Sequence, residues 1–190
     1  MDIRYTTVQN EQDVRQILEL QAANHASAIS EETARSQGFI TVRHDPDVLW
    51  RMNQAYPSVI AKDGERLAGY CLVMPRSFAP EVPILAPMFA MLETLAWHGR
   101  PLRDGGWFVM GQVCVAEDYR GQGVFDGMYA KLREVCSPAF DFVVTEVAER
   151  NTRSMRAHER VGFETFRVYH DATTGEVWHV VGMGLLAVGC

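Results

Sequence analysis

A short glycine-containing segment, Arg120-Gly121-Gln122-Gly123, carries the clearest chemical signal in the chain. It follows an apolar segment that predicts a strand, residues 107–116, and precedes a helical pattern that begins at Val124. Glycines permit a tight turn and let a ligand approach the backbone amides. A helix N-terminus adds unpaired N–H groups and the positive end of the helix dipole. The segment therefore predicts a site for phosphate or pyrophosphate, to which Arg120 adds a charged donor. A glycine turn can also be purely structural, so the distinction between a turn and a binding loop depends on the other segments of the chain.

Two familiar phosphate-binding patterns do not occur in the sequence. The Walker pattern G-x-x-x-x-G-K-[ST] is missing. Gly121, Gly123 and Gly127 do not have the spacing G-x-G-x-x-G of a dinucleotide-binding fold. Such a fold also places its glycine turn near the start of the domain, whereas this turn comes about two-thirds of the way along the chain.

Strands and helices alternate irregularly along the chain, which predicts a mixed α/β fold of about seven strands and four or five helices. Local signals support the boundaries. Asn10, Asp45 and Asn151 each precede a helical pattern as N-caps, and Gly162 marks a helix end. The predicted strands are 3–8, 58–61, 66–74, 107–116, 140–147, 164–169 and 176–183, and the predicted helices begin near 11, 30, 45, 124 and 151.

Composition excludes several classes of protein. Apolar residues make up 47% and charged residues 22% of the 190 residues, as in globular domains rather than fibrous or disordered chains. The formal net charge of −6 argues against binding to nucleic acid. No apolar run approaches the roughly 18 residues of a membrane span, and the first residues do not resemble a signal peptide. The four cysteines have no metal-site spacing and are interpreted as reduced thiols of a cytoplasmic protein.

Two motifs in the correct order resemble those of the GNAT acyltransferase superfamily. Val113-x-Val115-x-x-x-Tyr119-Arg120-Gly121-Gln122-Gly123-Val124 resembles motif A, R/Q-x-x-G-x-G/A, and Asn151-x-x-Ser154-x-x-x-His158-x-x-x-Gly162-Phe163 resembles motif B, N-x-x-A-x-x-x-Y-x-K-x-G-F. The resemblance is strong over residues 107–163 and looser before them. It implies a GNAT-like, mostly antiparallel sheet of about seven strands flanked by helices, in a single domain over residues 1–190.

The resemblance also implies a co-substrate, acetyl-coenzyme A, whose pyrophosphate the motif A loop holds. Backbone amides along residues 113–115 are then expected to bind pantetheine and the acetyl carbonyl. The site residues implied for the cofactor are Val113, Cys114, Val115, Arg120, Gly121, Gln122, Gly123, Val124, Phe125, Asn151 and Ser154.

Two residues depart from the family pattern. Phe125 stands where motif A usually has a small residue, although it also begins an apolar helical stripe. His158 replaces the tyrosine that in many members protonates the leaving thiolate. A histidine can exchange a proton near neutral pH, so His158 is the candidate general acid. The alternative is that His158 packs beside Phe163 as a half-buried helix residue.

The general base is less clearly marked. Glu146, on the predicted strand 140–147, is the first candidate because the family's acceptor cleft opens near it. Cys114 lies in an apolar strand and is a poor nucleophile, and no G-x-S-x-G elbow or metal-ligand cluster is found in the sequence. The other carboxylates that stay open as candidates are Glu81, Glu93, Glu117 and Asp118.

Residues 75–106 contain five of the eight prolines and read as an insertion before the fourth strand. An apolar helical face, from Ile84 to Leu95, makes it either an extra core helix or a wall beside the acceptor cleft; its methionines would also suit a homodimer contact. The expected function is N-acetyl transfer from acetyl-coenzyme A to the primary amine of a small molecule, by direct attack and without a metal. The alternative is a non-catalytic acyl-coenzyme A-binding module.

Overall fold

The computed structural model describes residues 2–25, 42–172 and 174–186, and its centre is a seven-stranded sheet. The strands are β1 (Ile3–Thr7), β2 (Val59–Asp63), β3 (Arg66–Met74), β4 (Ala96–Trp97), β5 (Arg100–Pro101), β6 (Trp107–Val115), β7 (Phe142–Ala148), β8 (Glu164–His170) and β9 (Val177–Gly184). The strand order is β1-β2-β3-β6-β7-β9-β8, and every neighbouring pair is antiparallel except β6 and β7, which run parallel. The predicted mixed fold is therefore confirmed.

Five α-helices lie in the described parts of the chain, and their caps agree with the local sequence signals. The side chains of Asn10, Asp45 and Asn151 each accept a backbone N–H at a helix start. Gly162 ends the last helix in the left-handed region, at φ 101°. The helix expected after Ser30 lies outside the described residues. The helices are α1 (Glu11–Asn24), α2 (Pro46–Ala55), α3 (Ala86–Leu92), α4 (Val124–Cys136) and α5 (Thr152–Val161).

The sheet has a hydrophobic core on each face. On one face, α4 and α5 cover Cys71, Val73 and Phe108, together with the buried Met128 of α4. The other face is covered by α1, α2 and the insertion. Alternate residues of a strand point to opposite faces, so each inward position of β7 belongs to one of these two cores. Glu146 lies on the insertion side, because Val144 belongs to that core and Val143 to the other.

The insertion is only partly helical, which corrects the bounds of the apolar helical face expected from Ile84 to Leu95. Two short 3-10 turns, Arg76–Glu81 and Pro83–Leu85, precede α3, and the β4–β5 hairpin follows it. Prolines at 80, 83 and 87 account for the short segments, because proline has no N–H to continue a helical ladder. Ile84, predicted on the packed face, is 69% exposed. The insertion still packs on the sheet through its buried residues Met88, Phe89 and Leu92.

A β-bulge at Gly111 changes the direction of the side chains along β6. Val109 pairs with Met74 and Met110 with Val73, but Gln112 already pairs with Leu72. The extra residue reverses the alternation, so that Gln112 points to the face of α1 while Val113 packs on the side of α4. Bulges of this kind often adjoin functional sites, because they redirect side chains and interrupt pairing. Here the bulge comes two residues beyond the last β6–β7 pair.

Candidate active site

β6 and β7 are paired for only three residues and then separate. The parallel pairs are Trp107–Phe142, Phe108–Val143 and Val109–Val144. A last link follows, where the Thr145 hydroxyl donates to the carbonyl of Met110 at 3.0 Å. Beyond it, β6 stays paired with β3 and β7 with β9, so the facing edges of residues 111–115 and 146–148 have no ladder partner. This gap between the two strands is called the notch below.

The notch exposes backbone groups of β6 in an alternating pattern. The N–H of Ala116 donates to Ala68 on the β3 side, at 2.9 Å. Because alternate amides of a strand point to opposite edges, the N–H of Cys114 also points to β3, whereas those of Val113 and Val115 point into the notch. The direction of the Cys114 N–H argues against the expected contact of this amide with the cofactor. The amides of Val113 and Val115 remain candidates for that contact. The Cys114 thiol is buried, which raises its pKa to about 11 and makes it a poor nucleophile.

The loop after β6 has the open geometry that an anion site requires. Gly121 and Gly123 have φ of 74° and 79°, and a Cβ built at either glycine would meet no atom within 4 Å. Gly123 is the N-cap of α4 and, since it has no side chain, the first turn of that helix has no side-chain cap. The amides of this turn, including those of Val124 and Phe125, are thus not covered by a cap. A diphosphate fits such a loop because N–H groups and the helix dipole converge on it.

The polar side chains of the loop hold its backbone in place. Arg120 donates through Nε to the carbonyl of Val115 at 3.1 Å and through Nη2 to Asn24 of α1 at 2.6 Å. Gln122 donates to the carbonyl of Asp118 at 2.7 Å. These contacts join the end of β6, the loop and α1. Both residues, expected at the cofactor site, therefore also shape the loop.

A second helix N-terminus lies at the same edge of the sheet, because β6 and β7 are parallel and both end there. Asn151 caps α5 by accepting the N–H of Ser154 at 3.2 Å, so its side-chain oxygen is already engaged. Arg153, in the first turn of α5, was not identified from the sequence. Burial and the nearby charge of Arg120 both lower its pKa. Two guanidinium groups that repel each other favour the binding of an anion between them. The first turn of α5 and the glycine loop could therefore contact the same anion.

Phe125 does not block the loop. Its ring turns toward the aromatic side chains between α4 and α5, with its centroid 4.8 Å from Tyr129 and 5.2 Å from His158. His158 also packs against Phe163 at 4.9 Å. The unusual residue of motif A and the unusual residue of motif B thus pack against each other. The Phe125 ring therefore packs into the core between α4 and α5, while the backbone N–H of Phe125 stays in the first turn of α4 at the loop.

The position of His158 argues against its expected role as general acid. The residue is 3% exposed, and burial lowers its pKa to about 4. Nδ1 lies 2.8 Å from the carbonyl of Ser154, which can only accept, so Nδ1 carries the proton. Nε2 then accepts from the Tyr129 hydroxyl at 3.1 Å. A neutral imidazole with both nitrogens engaged in the core is suited to structural support rather than to proton delivery.

We predict that His158 makes the protein sensitive to acid. The folded state keeps the imidazole neutral down to about pH 4, whereas the unfolded chain binds a proton near pH 6.5. The free energy of unfolding therefore falls as the pH drops through this window, with a share of about 2–3 kcal/mol from His158. In urea titrations between pH 7 and 4, the free energy of unfolding of His158→Gln should fall by less than that of the wild type, by about this amount. Its kcat at pH 8 should stay within about threefold of the wild-type value. His98→Gln, at an exposed position, is the matched control for the histidine-to-glutamine change.

Glu146 is the one carboxylate among the predicted base candidates that is both half-buried and next to the notch. Burial raises its pKa to about 7, although the hydrogen bond from Tyr169 acts in the opposite direction. A carboxylate with this pKa can take a proton at neutral pH. The other four candidates form surface ion pairs or are exposed: Glu81 with Arg51, Glu93 with Arg76, Asp118 with Arg66, and Glu117 exposed at the end of β6.

A buried polar network lies on the α1 side of the notch and was not found from the sequence. Tyr70 donates to Gln112 at 2.6 Å, and Gln112 donates to the carbonyl of Val42 at 2.9 Å. Gln21 accepts the backbone N–H of His44 through its oxygen, so its amide nitrogen donates to His44 Nδ1 at 3.1 Å. Burial lowers the pKa of His44 to about 4. No local pattern marks these residues, because they come from four separate segments.

Two further observations concern the described residues only. No helix in these ranges is long and apolar enough to cross a membrane. Within the same ranges, no three His, Cys, Asp or Glu side chains are grouped so that they could hold a metal ion. The cysteines at 71, 114 and 136 are free and buried, and Cys190 lies outside the described residues.

Solved structures with the same fold are numerous, and the three described below have low sequence identity. The ribosomal-protein-S18-alanine N-acetyltransferase from Escherichia coli is 12% identical, with a TM-score of 0.62 over 99% of this chain and 97% of that chain. The protein yncA from Salmonella typhimurium, described with its cofactor acetyl-CoA, is 13% identical, with a TM-score of 0.63 over 99% and 96%. Ard1 from Thermoplasma volcanium is 10% identical, with a TM-score of 0.64 over 98% and 100%. These similarities show the fold.

Sequence comparison identifies the family directly. Curated protein sequences contain no match to this chain. A sequence profile of the Acetyltransferase (GNAT) family, however, matches residues 26–163, which is more than half of the 190 residues. The match includes the glycine loop, the notch and both helix N-termini described above. The chain therefore belongs to the GNAT family of acetyltransferases.

Proposed function

We propose that the protein is an N-acetyltransferase that moves the acetyl group of acetyl-coenzyme A to the primary amine of a small molecule. The observation that carries this proposal is the combination of the notch with an uncapped helix N-terminus at the glycine loop. A long donor that ends in a thioester needs both: amides for its diphosphate and a free strand edge for its pantetheine arm. Acetyl-coenzyme A supplies an activated acetyl group when it is bound there.

The residues that we assign to donor binding follow from the geometry. The amides of residues 121–125 are assigned to the diphosphate, and Arg120 and Arg153 supply positive charge beside it. Backbone groups of Val113 and Val115 are assigned to the pantetheine arm and the acetyl carbonyl, because their N–H groups point into the notch. Asn151 and Ser154 act through the cap of α5, which holds Arg153 next to the loop.

The chemistry requires a neutral amine beside the thioester. The amine nitrogen attacks the acetyl carbonyl, the C–N bond forms, and the C–S bond breaks. Glu146 accepts the proton that the amine loses, directly or through one water. The thiolate leaves and takes a proton from solvent. It needs little help from an acid, because a thiol with a pKa near 8.5 is a good leaving group. The buried His158 is therefore not needed in this step.

The surroundings of Glu146 favour a small acceptor. Val144 and Val180 are fully buried on the same face, and the Trp97 ring of the insertion lies over Gly182, the partner of Val144 on β9. The insertion thus covers the sheet beside the base, and burial raises the Glu146 pKa. On the other side of the notch lie the neutral polar groups of Gln112 and Tyr70. A cytoplasmic location, a single domain over residues 1–190 and a homodimer contact remain predictions.

Release of free thiol from acetyl-coenzyme A separates the proposed function from its alternatives. Purified protein is mixed with acetyl-coenzyme A and a panel of small primary amines, and the thiol is followed by a colorimetric reagent. Amine-dependent release, with an acetylated product by mass spectrometry, supports the proposal. Release without an amine indicates a hydrolase. Donor binding without release for any amine, including amino acids, polyamines and peptides, favours the acyl-coenzyme A-binding module instead.

A further inference from the structure

The side chain of Tyr169 reaches Glu146 across an intervening strand. Tyr169 lies on β8 and pairs with Trp178 of β9, which in turn pairs with Ala148 of β7. Its ring crosses β9 diagonally, and its hydroxyl donates to Oε1 of Glu146 at 2.9 Å. This hydrogen bond therefore connects the edge strand β8, which is otherwise largely exposed, to the notch.

The hydrogen bond restricts the carboxylate and leaves one oxygen available. Oε1 is engaged by the phenol, whereas Oε2 accepts no hydrogen bond from the residues that the structure describes. A carboxylate held at one oxygen cannot rotate freely, so the direction of the other oxygen is also fixed. A base must be held in this way, because a small misplacement of a reacting group costs rate.

We propose that Tyr169 is a positioning residue for the reaction: it holds Glu146 with one oxygen toward the acceptor amine and favours the ionised carboxylate. The proposal rests on the function proposed above, in which Glu146 is the base. It extends the site to β8 and to the segment that follows it, neither of which carries a family motif. A phenol suits this role because it donates a hydrogen bond without bringing a charge that would repel an ammonium group.

The groups around Glu146 shift its pKa in opposite directions. Burial raises the Glu146 pKa, the Tyr169 hydrogen bond lowers it, and the negative charge of Asp171 raises it. Burial, together with the charge and the hydrogen bond of Glu146, raises the pKa of Tyr169 well above its usual value, so the phenol keeps its proton at neutral pH. The side chains that β9 places next to Glu146 on this face, Val180 and Trp178, carry no charge, and Arg167 of β8 is exposed. In the insertion, Arg76 is paired with Glu93, and His98 lies beside Glu164.

Two substitutions should therefore shift the titration of Glu146 in opposite directions. Tyr169→Phe removes the donor and should raise the midpoint by about one pH unit. Asp171→Asn removes a negative charge and should lower it. Tyr56→Phe, which deletes an exposed phenol hydroxyl elsewhere, should leave it unchanged. Two readouts are needed: the ¹³C carboxyl signal of Glu146 by NMR, which requires no turnover, and the pH profile of kcat/KM with one active amine.

The expected result is that both readouts move together, upward for Tyr169→Phe and downward for Asp171→Asn. An unchanged or lowered midpoint in Tyr169→Phe overturns the proposal, and so does a shift of the same sign in both variants, which indicates general disturbance of the sheet. If the NMR midpoint moves while the activity profile does not, the contact exists but Glu146 is not the base. That result overturns the proposal, because the proposal requires Glu146 to be the base. Acetyl transfer itself is tested separately by the thiol-release assay.

Discussion

Replacing Glu146 by Gln should lower kcat by about 10²–10⁴-fold and leave the affinity for acetyl-coenzyme A unchanged. Glutamine keeps an oxygen that can accept the Tyr169 hydrogen bond, so the substitution removes the base and little else. In the wild type, the rate should increase with pH up to about 7, where Glu146 becomes ionised. The Glu146→Gln variant should not show this increase of the rate with pH. Initial rates at saturating donor, measured from pH 5.5 to 9, test both expectations.

The same substitution should make the protein more stable at alkaline pH. The folded Glu146 has a pKa of about 7, above that of an unfolded glutamate, so the native state binds the extra proton between about pH 4.5 and 7. Its contribution to the free energy of unfolding thus falls as the pH rises through this window and stays low above it. Since solvent partly screens the charge, we expect Glu146→Gln to gain about 1–2 kcal/mol at pH 8 and nothing at pH 4. Equal stability at pH 8, with full activity, would contradict the assignment of Glu146.

A negative charge at the glycine loop should weaken donor binding by about 10–100-fold. Gly121 has φ 74° and open space around it, so Asn and Asp can both be accommodated there with moderate strain. The two side chains have nearly the same shape, and only Asp adds a charge close to the expected diphosphate. At about 5 Å and an effective dielectric constant of about 20, that repulsion is several kcal/mol before screening. Calorimetric Kd values of Gly121→Asp and Gly121→Asn isolate the charge term.

The control for this pair is Gly99→Asp, in the β4–β5 hairpin. Gly99 also has positive φ, 78°, and no atom within 4 Å of a built Cβ, but it lies in the insertion rather than at the loop. Its variant should bind acetyl-coenzyme A like the wild type. The difference between Asp and Asn at position 121 should also shrink in high salt. Equal Kd values for the two variants in low salt would place the diphosphate away from this loop.

Much of the fold could be predicted because its signals are local. Asn10, Asp45 and Asn151 cap helices in the structure as the sequence indicates. The Asp-Gly pair at residues 63 and 64 is typical of hairpin turns, and Gly64 has φ 59° between β2 and β3. Each signal depends on a residue and its immediate neighbours. The loop could be predicted in the same way, because Gly121 and Gly123 act through their own backbone conformation.

The environments of the catalytic candidates could not be predicted, because distant segments create them. His158 is enclosed by Phe125 and Tyr129 of α4, which helical spacing within α5 does not reveal. The Tyr169 contact requires the register of three strands. The bulge at Gly111 had a weak signal, a lone glycine inside a predicted strand. The prolines at 80, 83 and 87 interrupt the helical face that was expected in the insertion. The tight packing of Gly127 against Tyr5, which places α4 on the sheet, could not be seen from the sequence.

The most direct test of the central claim, that the notch and the glycine loop bind acetyl-coenzyme A, is thermal unfolding with and without this donor. ATP and NAD, which also carry diphosphates but no pantetheine arm, are the controls. At a donor concentration of about 100 Kd, binding adds about 2.7 kcal/mol, which corresponds to a Tm increase of about 5–10 °C. The expected result is an increase with acetyl-coenzyme A that is several times larger than with either control. No increase, or an equal increase with ATP, would contradict the claim.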